Sequence, residues 1–321
     1  MKLISSFDKV FKTVSQTNYV ENTPMPVSAV IVNYNAGNLL AECVEAVKAQ
    51  VQQIVVVDNA SSDNSLSELA KRCLAADKLQ VIRLDQNMGF AAGCNIGLQA
   101  TESPFVLFLN PDCLLGREAI NRLRQVIEAD ERAGMVGGRL LNHDGSEQGG
   151  SRRAMPTPWR ALVRACGLYR LAPFFPRLFY DFHLHHQPLP STPIEVEAIS
   201  GALMLVRREA IEDVGPWDEG YFLHCEDLDW CMRFGQHNWK ILFVPDVEAL
   251  HHQGACSHAR PFFVAWHKHK GMLRFYRKFF LDRYPVLLTW LVSIGVWLRF
   301  VLVVSVNGVV HLMRVLGLRH G

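Results

Sequence analysis

The chain lacks the two glycine signatures that most often announce a phosphate site. It has no G-x-G-x-x-G turn following a strand and no G-x-x-x-x-G-K-(S/T) run, so dehydrogenase and P-loop readings lose their main support. It also lacks a CxxC pair and any regular cysteine framework. Its eight cysteines (Cys43, Cys73, Cys94, Cys113, Cys166, Cys225, Cys231 and Cys256) fall mostly within apolar patterns, where a thiol acts as a small buried hydrophobe. A reduced, cytosolic environment is expected. Residues 1–26 contain scattered lysines but no continuous apolar stretch of the signal-peptide kind, and read as a lead-in ending at the Pro24 and Pro26 breaks. Neither charge dominates: 33 Lys and Arg stand against 31 Asp and Glu, and the net value of +2 gives no footing for nucleic acid. No internal repeat or low-complexity tract is present.

What is present is a long alternation of short apolar runs and helical patterns. At 321 residues and 49% hydrophobic, the chain can build one large or two small domains. Val27–Val32, Ile54–Val57, Leu79–Leu84 and Phe105–Leu109 read as strands, and another begins at Met135–Val136. Between them lie helices: one capped at Asn38, one on Leu66, Leu69 and Cys73, one over Ala91–Ala100 and one over Arg117–Glu131. This alternation predicts an α/β fold with a mainly parallel sheet and right-handed crossovers. Residues 151–193, rich in Arg, Pro, Phe and His, read as an irregular excursion with a short helix around Trp159–Leu171, over the active face or against a membrane. Regularity returns with Val196–Val206, a helix from Arg207, a helix over Glu226–His237, and separate strands Ile241–Val244 and Val247–Leu250.

The chemistry-bearing residues gather where these runs end. Asp58-Asn59 and Asn110-Pro111-Asp112 each follow a wholly apolar run, so both carboxylates are expected beyond the carboxyl ends of buried strands, facing one crevice. Such a pair suits a divalent cation and a phosphate or polyhydroxyl ligand. Each motif has a plainer explanation: Asx and Ser residues in surface turns satisfy their own backbone. Gly89, Gly93 and Gly97 recur every four residues around Asn95, which leaves a helix face bare for either a ligand or a packed neighbour. Glu226, Asp227 and Asp229 open a helix, where one acid would suffice for capping. Arg233 can pair with Glu226 or with a phosphate. His251, at a strand end next to His252 and followed by Gly254, is a candidate metal ligand; His252 stays open beside it.

Taken together, these motifs resemble the family-2 glycosyltransferases of GT-A fold, in the rhamnosyltransferase-like branch of bacterial cell-surface polysaccharide synthesis. The residues carrying the resemblance are Val32 to Asn35, Val57 to Asp63, Asn87 to Asn95, Leu109 to Asp112, Ser200 to Ala202, Phe222 to Arg233, and His251 to Gly254. They occur in matching order over about Val27 to Ser257. The metal motif is Asn-Pro-Asp, with one carboxylate where Asp-x-Asp would offer two. The resemblance implies a glycosyltransferase domain over 27–258, and the residues beyond it, 259–321, read as a basic-aromatic helix and apolar membrane-associated helices. It implies that Asp58, with Asn33, Asn35, Asn59, Asn87, Gly93, Asn95, Asn110, Gly201 and Arg233, lines a nucleotide-sugar site. Asp112 and His251 would hold Mg²⁺ or Mn²⁺, and Asp227 would act as general base with Glu226 and Asp229 beside it.

The expected activity is inverting transfer of a sugar, by resemblance L-rhamnose from dTDP-rhamnose, to a polyprenyl-diphosphate-linked or oligosaccharide acceptor. A catalytically silent sugar- or nucleotide-binding module is the rival, disfavoured because such a module needs no base. A nucleotidyltransferase would want a lysine in the first phosphate loop, and Asn33 to Gly37 has none. Near the C-terminus, Lys268, Lys270, Arg274, Arg277, Lys278 and Arg283 interleave with Phe262, Trp266, Leu273, Tyr276 and Phe280. The apolar run Val286–Val306 follows, interrupted only by Arg299 and long enough for a hydrocarbon core of about 30 Å. A single span, or an interfacial helix pair broken near Arg299, is expected to hold the enzyme at the cytoplasmic face of the inner membrane.

Overall fold

A computed structural model describes residues 26–73, 77–179, 182–254 and 260–315. All but the last residue of the expected N-terminal lead-in, and Cys256 with its neighbours, lie outside the described residues. The first half alternates as the sequence predicts. Strand β1 (Val27–Asn33) is followed by α1 (Asn38–Val47), β2 (Gln53–Asp58), α2 (Ser65–Cys73), β3 (Leu79–Arg83), α3 (Phe90–Gln99) and β4 (Phe105–Leu109). Then come β5 (Cys113–Leu115), α4 (Ala119–Glu128) and β6 (Ala133–Leu141). The second half holds β7 (Arg152–Arg153), α5 (Pro158–Ala165), β8 (Ile194–Glu195), β9 (Ala198–Ile199), β10 (Leu203–Arg207), α6 (Arg208–Val214), α7 (Glu226–Gln236) and β11 (Lys240–His251). Helices α8 (Pro261–Phe280) and α9 (Val286–Val315) close the described chain.

The main sheet runs β3-β2-β1-β4-β10-β6-β11-β5, with β8 on β11. Strands β1 to β4 are mutually parallel, and so are β6 and β11, while β10 runs antiparallel between β4 and β6. Period-two alternation feeds a separate core on each face. Val27, Ala29 and Ile31 meet α1 and α4 on one side; Val30 and Val32 meet α3 and the aromatic set Phe108, Trp217, Trp230 and Phe234 on the other. With both faces covered, the strands can be apolar throughout, as parallel sheets require.

Three local expectations change. Strands expected at Ile241–Val244 and Val247–Leu250 are one strand, β11, with a register shift between Val244 and Glu248. Pro245 lies in that irregularity, where a residue without N–H can sit without breaking the ladder. Val196–Val206 is divided instead by the Ser200-Gly201-Ala202 turn. The run after Pro285 is a single helix through Arg299, not a pair broken there.

Candidate active site

The C-terminal ends of β1 and β2 are tied by one amide. Asn33 and Asp58 are register partners, and Asn33 Nδ2 donates to Asp58 Oδ1 (2.7 Å), Ser65 Oγ (2.8 Å) and Ser61 Oγ (3.0 Å). Asp58 Oδ2 accepts the Ser61 N–H at 3.2 Å. Asn35, in the left-handed region at φ 54°, accepts the Ser62 N–H at 2.8 Å. Asn59 reaches the next loop, donating to the Gly89 carbonyl (2.9 Å) and accepting the Met88 N–H (2.7 Å), while Asn87 accepts the Gly89 N–H (2.9 Å). These side chains preorganise a polar floor whose loops hold one another. The buried Asn33 Oδ1 has no partner, an acceptor left over at that floor.

The glycines of the next motif serve packing. A Cβ on Gly93 would lie 2.7 Å from Val32 and one on Gly97 2.3 Å from Val30, so α3 presses directly on β1. Gly93 therefore meets the sheet, not a ligand. Asn95 is likewise occupied, donating to the Trp217 carbonyl (3.0 Å) and Glu219 Oε1 (2.8 Å) and accepting the Trp217 N–H (3.0 Å). It staples α3 to the loop before α7.

A second cluster forms because β5 pairs antiparallel with the end of β11, with Cys113 opposite His251. His251 Nε2 lies 3.3 Å from Asp112 Oδ1, both buried, and Asn110 Nδ2 is 3.5 Å from the same ring nitrogen. Gln148 fixes the tautomer. Its Nε2 donates to two carbonyls, Leu141 (3.2 Å) and His251 (2.8 Å), which leaves Oε1 to face His251 Nδ1 at 2.8 Å. An amide oxygen only accepts, so Nδ1 carries the proton and Nε2 presents a lone pair to the carboxylate. Asp112 Oδ1 has no hydrogen-bond donor. Two buried acceptors facing each other fit a cation between them, and the Cys113 sulfur lies in the same group of ligand atoms, all within 4.8 Å. His252 is turned elsewhere: its ring packs edge-on against His143 at 4.4 Å and its N–H bonds the Asp112 carbonyl.

The third cluster opens α7. His224 and Cys225 both hold left-handed backbone (φ 68° and 72°), uncommon for side-chain-bearing residues, and so aim the first turn of α7 back over the sheet. Asp227 Oδ2 lies 2.5 Å from Arg153 Nη2 and 3.4 Å from the Gly201 N–H, while Oδ1 accepts the Leu228 N–H. Burial pushes this carboxyl up, but the Arg153 charge and these hydrogen bonds outweigh it and hold it below the usual carboxylate range. Glu226 moves the other way, raised to about 8 by burial and by the Asp227 charge.

Asp229 and Arg233 stand apart from this pair. Asp229 is fully buried, between Arg233 Nε (2.8 Å) and Lys278 Nζ (2.6 Å). Arg233 spends its remaining donors on the carbonyls of Val214, Gly215 and Pro216. Both residues, expected beside the substrate, instead lock α7 to α8 and to the preceding loop. Arg153 and Gln148, which sequence reasoning missed, lie in or next to the irregular segment, where no periodicity points to them.

The model of "Glycosyl transferase family 2" matches residues 28–215. The N-acetylglucosaminyl-diphospho-decaprenol L-rhamnosyltransferase of Mycobacterium tuberculosis is 28% identical over 243 residues, spanning 71% of this chain and 76% of the relative. The dTDP-rhamnosyl transferase RfbF of Shigella flexneri is 25% identical over 230 residues, 70% of this chain and 68% of the relative. Among solved structures, the mannosyltransferase PcManGT from Pyrobaculum calidifontis, in complex with GDP-Man and Mn²⁺, superposes with a TM-score of 0.52 at 17% identity. That match covers 86% of this chain and 71% of the other.

Proposed function

Because the chain belongs to glycosyl transferase family 2, we propose that this glycosyltransferase moves L-rhamnose from a nucleoside-diphosphate sugar to a hydroxyl of a polyprenyl-diphosphate-linked acceptor, with inversion. The Mycobacterium tuberculosis and Shigella flexneri relatives support the donor and acceptor classes by their names. The observation that carries the reading is the Asp112–His251 pair, two opposed acceptors at the rim where parallel strands present ligands. A divalent cation, Mg²⁺ or Mn²⁺, held there by Asp112 and His251 would supply charge neutralisation to the leaving diphosphate.

Asp58, Asn33 and Asn59 would receive the nucleotide on their polar floor. Asp227 takes the proton of the acceptor hydroxyl while that oxygen bonds to the anomeric carbon. The carbon–oxygen bond to phosphate breaks on the opposite face, and its electron pair leaves with the diphosphate. Of the two carboxyl groups, Asp227 is ionised at neutral pH and Glu226 holds a proton, so Asp227 is the base. Arg153 is a positioning residue: it orients Asp227 and keeps it charged.

The membrane reading rests on α8 and α9. Helix α9 shows one continuous outward stripe, with Leu287, Leu291, Ile294, Leu298 and Leu302 all exposed. It is long and apolar enough to cross a bilayer over Val286–Val309. Its other face packs along α8, with Trp266 5.5 Å from Trp297 and 5.7 Å from Phe300, and α8 in turn packs on the catalytic core. A helix bound to the domain's flank fits lying in the interface of the cytoplasmic leaflet better than leaving the domain as a span. Binding of UDP, dTDP and GDP, each with and without Mn²⁺, tests the proposal by calorimetry. A dTDP response that needs Mn²⁺ and is lost in Asp112→Ala is expected; no response to any nucleotide, or one indifferent to Asp112 and Mn²⁺, overturns it.

A further inference from the structure

Away from the nucleotide floor, α8 and α9 enclose a groove of about 280 Å³. Val264 and Val303 form part of its apolar wall, while Lys268, His269, Arg299 and Asn307 supply all of its polar side chains. No acid lines it. Among the described residues neither Lys268 nor Arg299 has a carboxylate within ion-pair distance, although three acids elsewhere on the chain, Asp218, Asp227 and Asp229, hold Arg274, Lys278, Arg233 and Arg153. Among the described residues, the one hydrogen-bond partner Arg299 has is the Met272 sulfur, at 4.0 Å. His269 is 2% exposed and gives its Nδ1 proton to the Ala265 carbonyl at 2.7 Å, so its Nε2 is a buried ring nitrogen with no partner.

Two unpaired cations in a half-apolar groove make an anion site, and its surroundings define the anion. The groove opens beside the exposed apolar stripe of α9, where a lipid chain can lie. One turn beyond Lys268, Gly271 touches the residues that launch the catalytic helix: a Cβ there would meet the His224 carbonyl oxygen at 2.7 Å and the Cys225 Cβ at 3.4 Å. An anion in the groove would thus have a hydrocarbon surface on one side and the Asp227 end of α7 on the other.

We propose that the Lys268–Arg299 groove is the subsite for the diphosphate of the lipid-linked acceptor, holding it at the membrane surface with its sugar directed past His224 towards Asp227. This deepens the glycosyltransferase reading and rests on it for the identity of the sugar end. It also accounts for a charged residue midway along an otherwise apolar helix: Arg299 faces the groove and would gain a partner only when lipid diphosphate is bound.

The test separates the subsite from the reaction. Full-length protein in detergent is titrated with farnesyl diphosphate, followed by tryptophan fluorescence, to which Trp266 and Trp297 contribute from the α8–α9 contact. Inorganic diphosphate and phosphatidylglycerol serve as competitors. The expected result is saturable binding that weakens at least 10-fold in Lys268→Ala/Arg299→Ala and recovers in Lys268→Arg/Arg299→Lys, with Mn²⁺-dependent nucleotide affinity unchanged in both variants. With a farnesyl-diphosphate-linked N-acetylglucosamine acceptor, the alanine variant should raise KM and leave kcat near wild type. Unchanged farnesyl diphosphate affinity in the alanine variant overturns the assignment. So does equal competition by phosphatidylglycerol, which would mean a general lipid-headgroup site. Normal farnesyl diphosphate binding in a protein that binds no nucleotide would instead defeat the transferase reading and leave the groove as a prenyl-diphosphate site.

Discussion

Asp227 and Glu226 are neighbours at one helix terminus, yet at neutral pH one is ionised and the other is not. The cause is Arg153, which bonds Asp227 at 2.5 Å, whereas Glu226 Oε2 is buried with no partner. Glu226, ordinarily ionised above the usual carboxylate range, keeps its proton in the folded protein to about pH 8. Between those limits the folded state holds a proton that the unfolded state has lost, so Glu226 makes stability fall as pH rises through that window. Glu226→Gln should flatten this decline and raise Tm at pH 8 relative to pH 5, as measured by calorimetric melting across pH. An unchanged slope would mean that Glu226 titrates normally. At this scale the sequence showed the acids and amides but not their partners. Arg153 and Gln148 reach Asp227 and His251 across long separations from a segment with no regular pattern, and the sequence alone could not show which of Glu226, Asp227 and Asp229 is tied to α8.

Among the elements, β4 and its Asn-Pro-Asp turn were legible because an apolar run ends abruptly in polar turn residues. The short β5 was not, because Cys113–Leu115 reads as the tail of that turn. Only pairing with β11 makes it a strand, and that pairing brings His251 to Asp112. The basic face of α8, read as a membrane lure, is partly spent inside the protein. Arg274 and Lys278 hold Asp218 at 2.9 and 2.7 Å, and Lys278 also holds Asp229. Burial raises the Asp218 carboxyl, but Lys278, the Gly220 N–H and Arg274 bring it down to about 2. Asp229 is therefore a fastener between α7 and α8. Asp229→Asn takes the charge from the buried partner of part-buried Arg233 and leaves exposed Lys278 with Asp218 alone, and should cost about 2 kcal/mol of stability, seen as a lower Tm, while nucleotide affinity at low temperature stays near wild type. A stable protein with a selective loss of kcat would return Asp229 to the chemistry.

For the whole molecule, the strand–helix alternation, the two cores and the C-terminal apolar helix follow from the hydrophobic pattern, which is why a mainly parallel α/β fold was readable, whereas the sheet order, with β10 antiparallel between β4 and β6, was not. The way α9 folds back along α8 was not, since it depends on contacts such as Trp266 with Trp297 that leave no periodic trace. Deleting Pro285–Gly321 should release most of the protein from the membrane fraction after a high-salt wash, because the outward stripe of α9 goes with it. Retention equal to the full chain would place the anchor elsewhere. The most direct test of the account is sugar transfer itself. Purified full-length protein is given dTDP-rhamnose labelled in the sugar, polyprenyl-diphosphate-linked N-acetylglucosamine and Mn²⁺, alongside Asp227→Asn. Label should enter the lipid fraction with inverted anomeric configuration, and the variant should fall at least 100-fold while binding dTDP normally. Retained configuration, or transfer by Asp227→Asn at more than a few per cent of wild type, would contradict it.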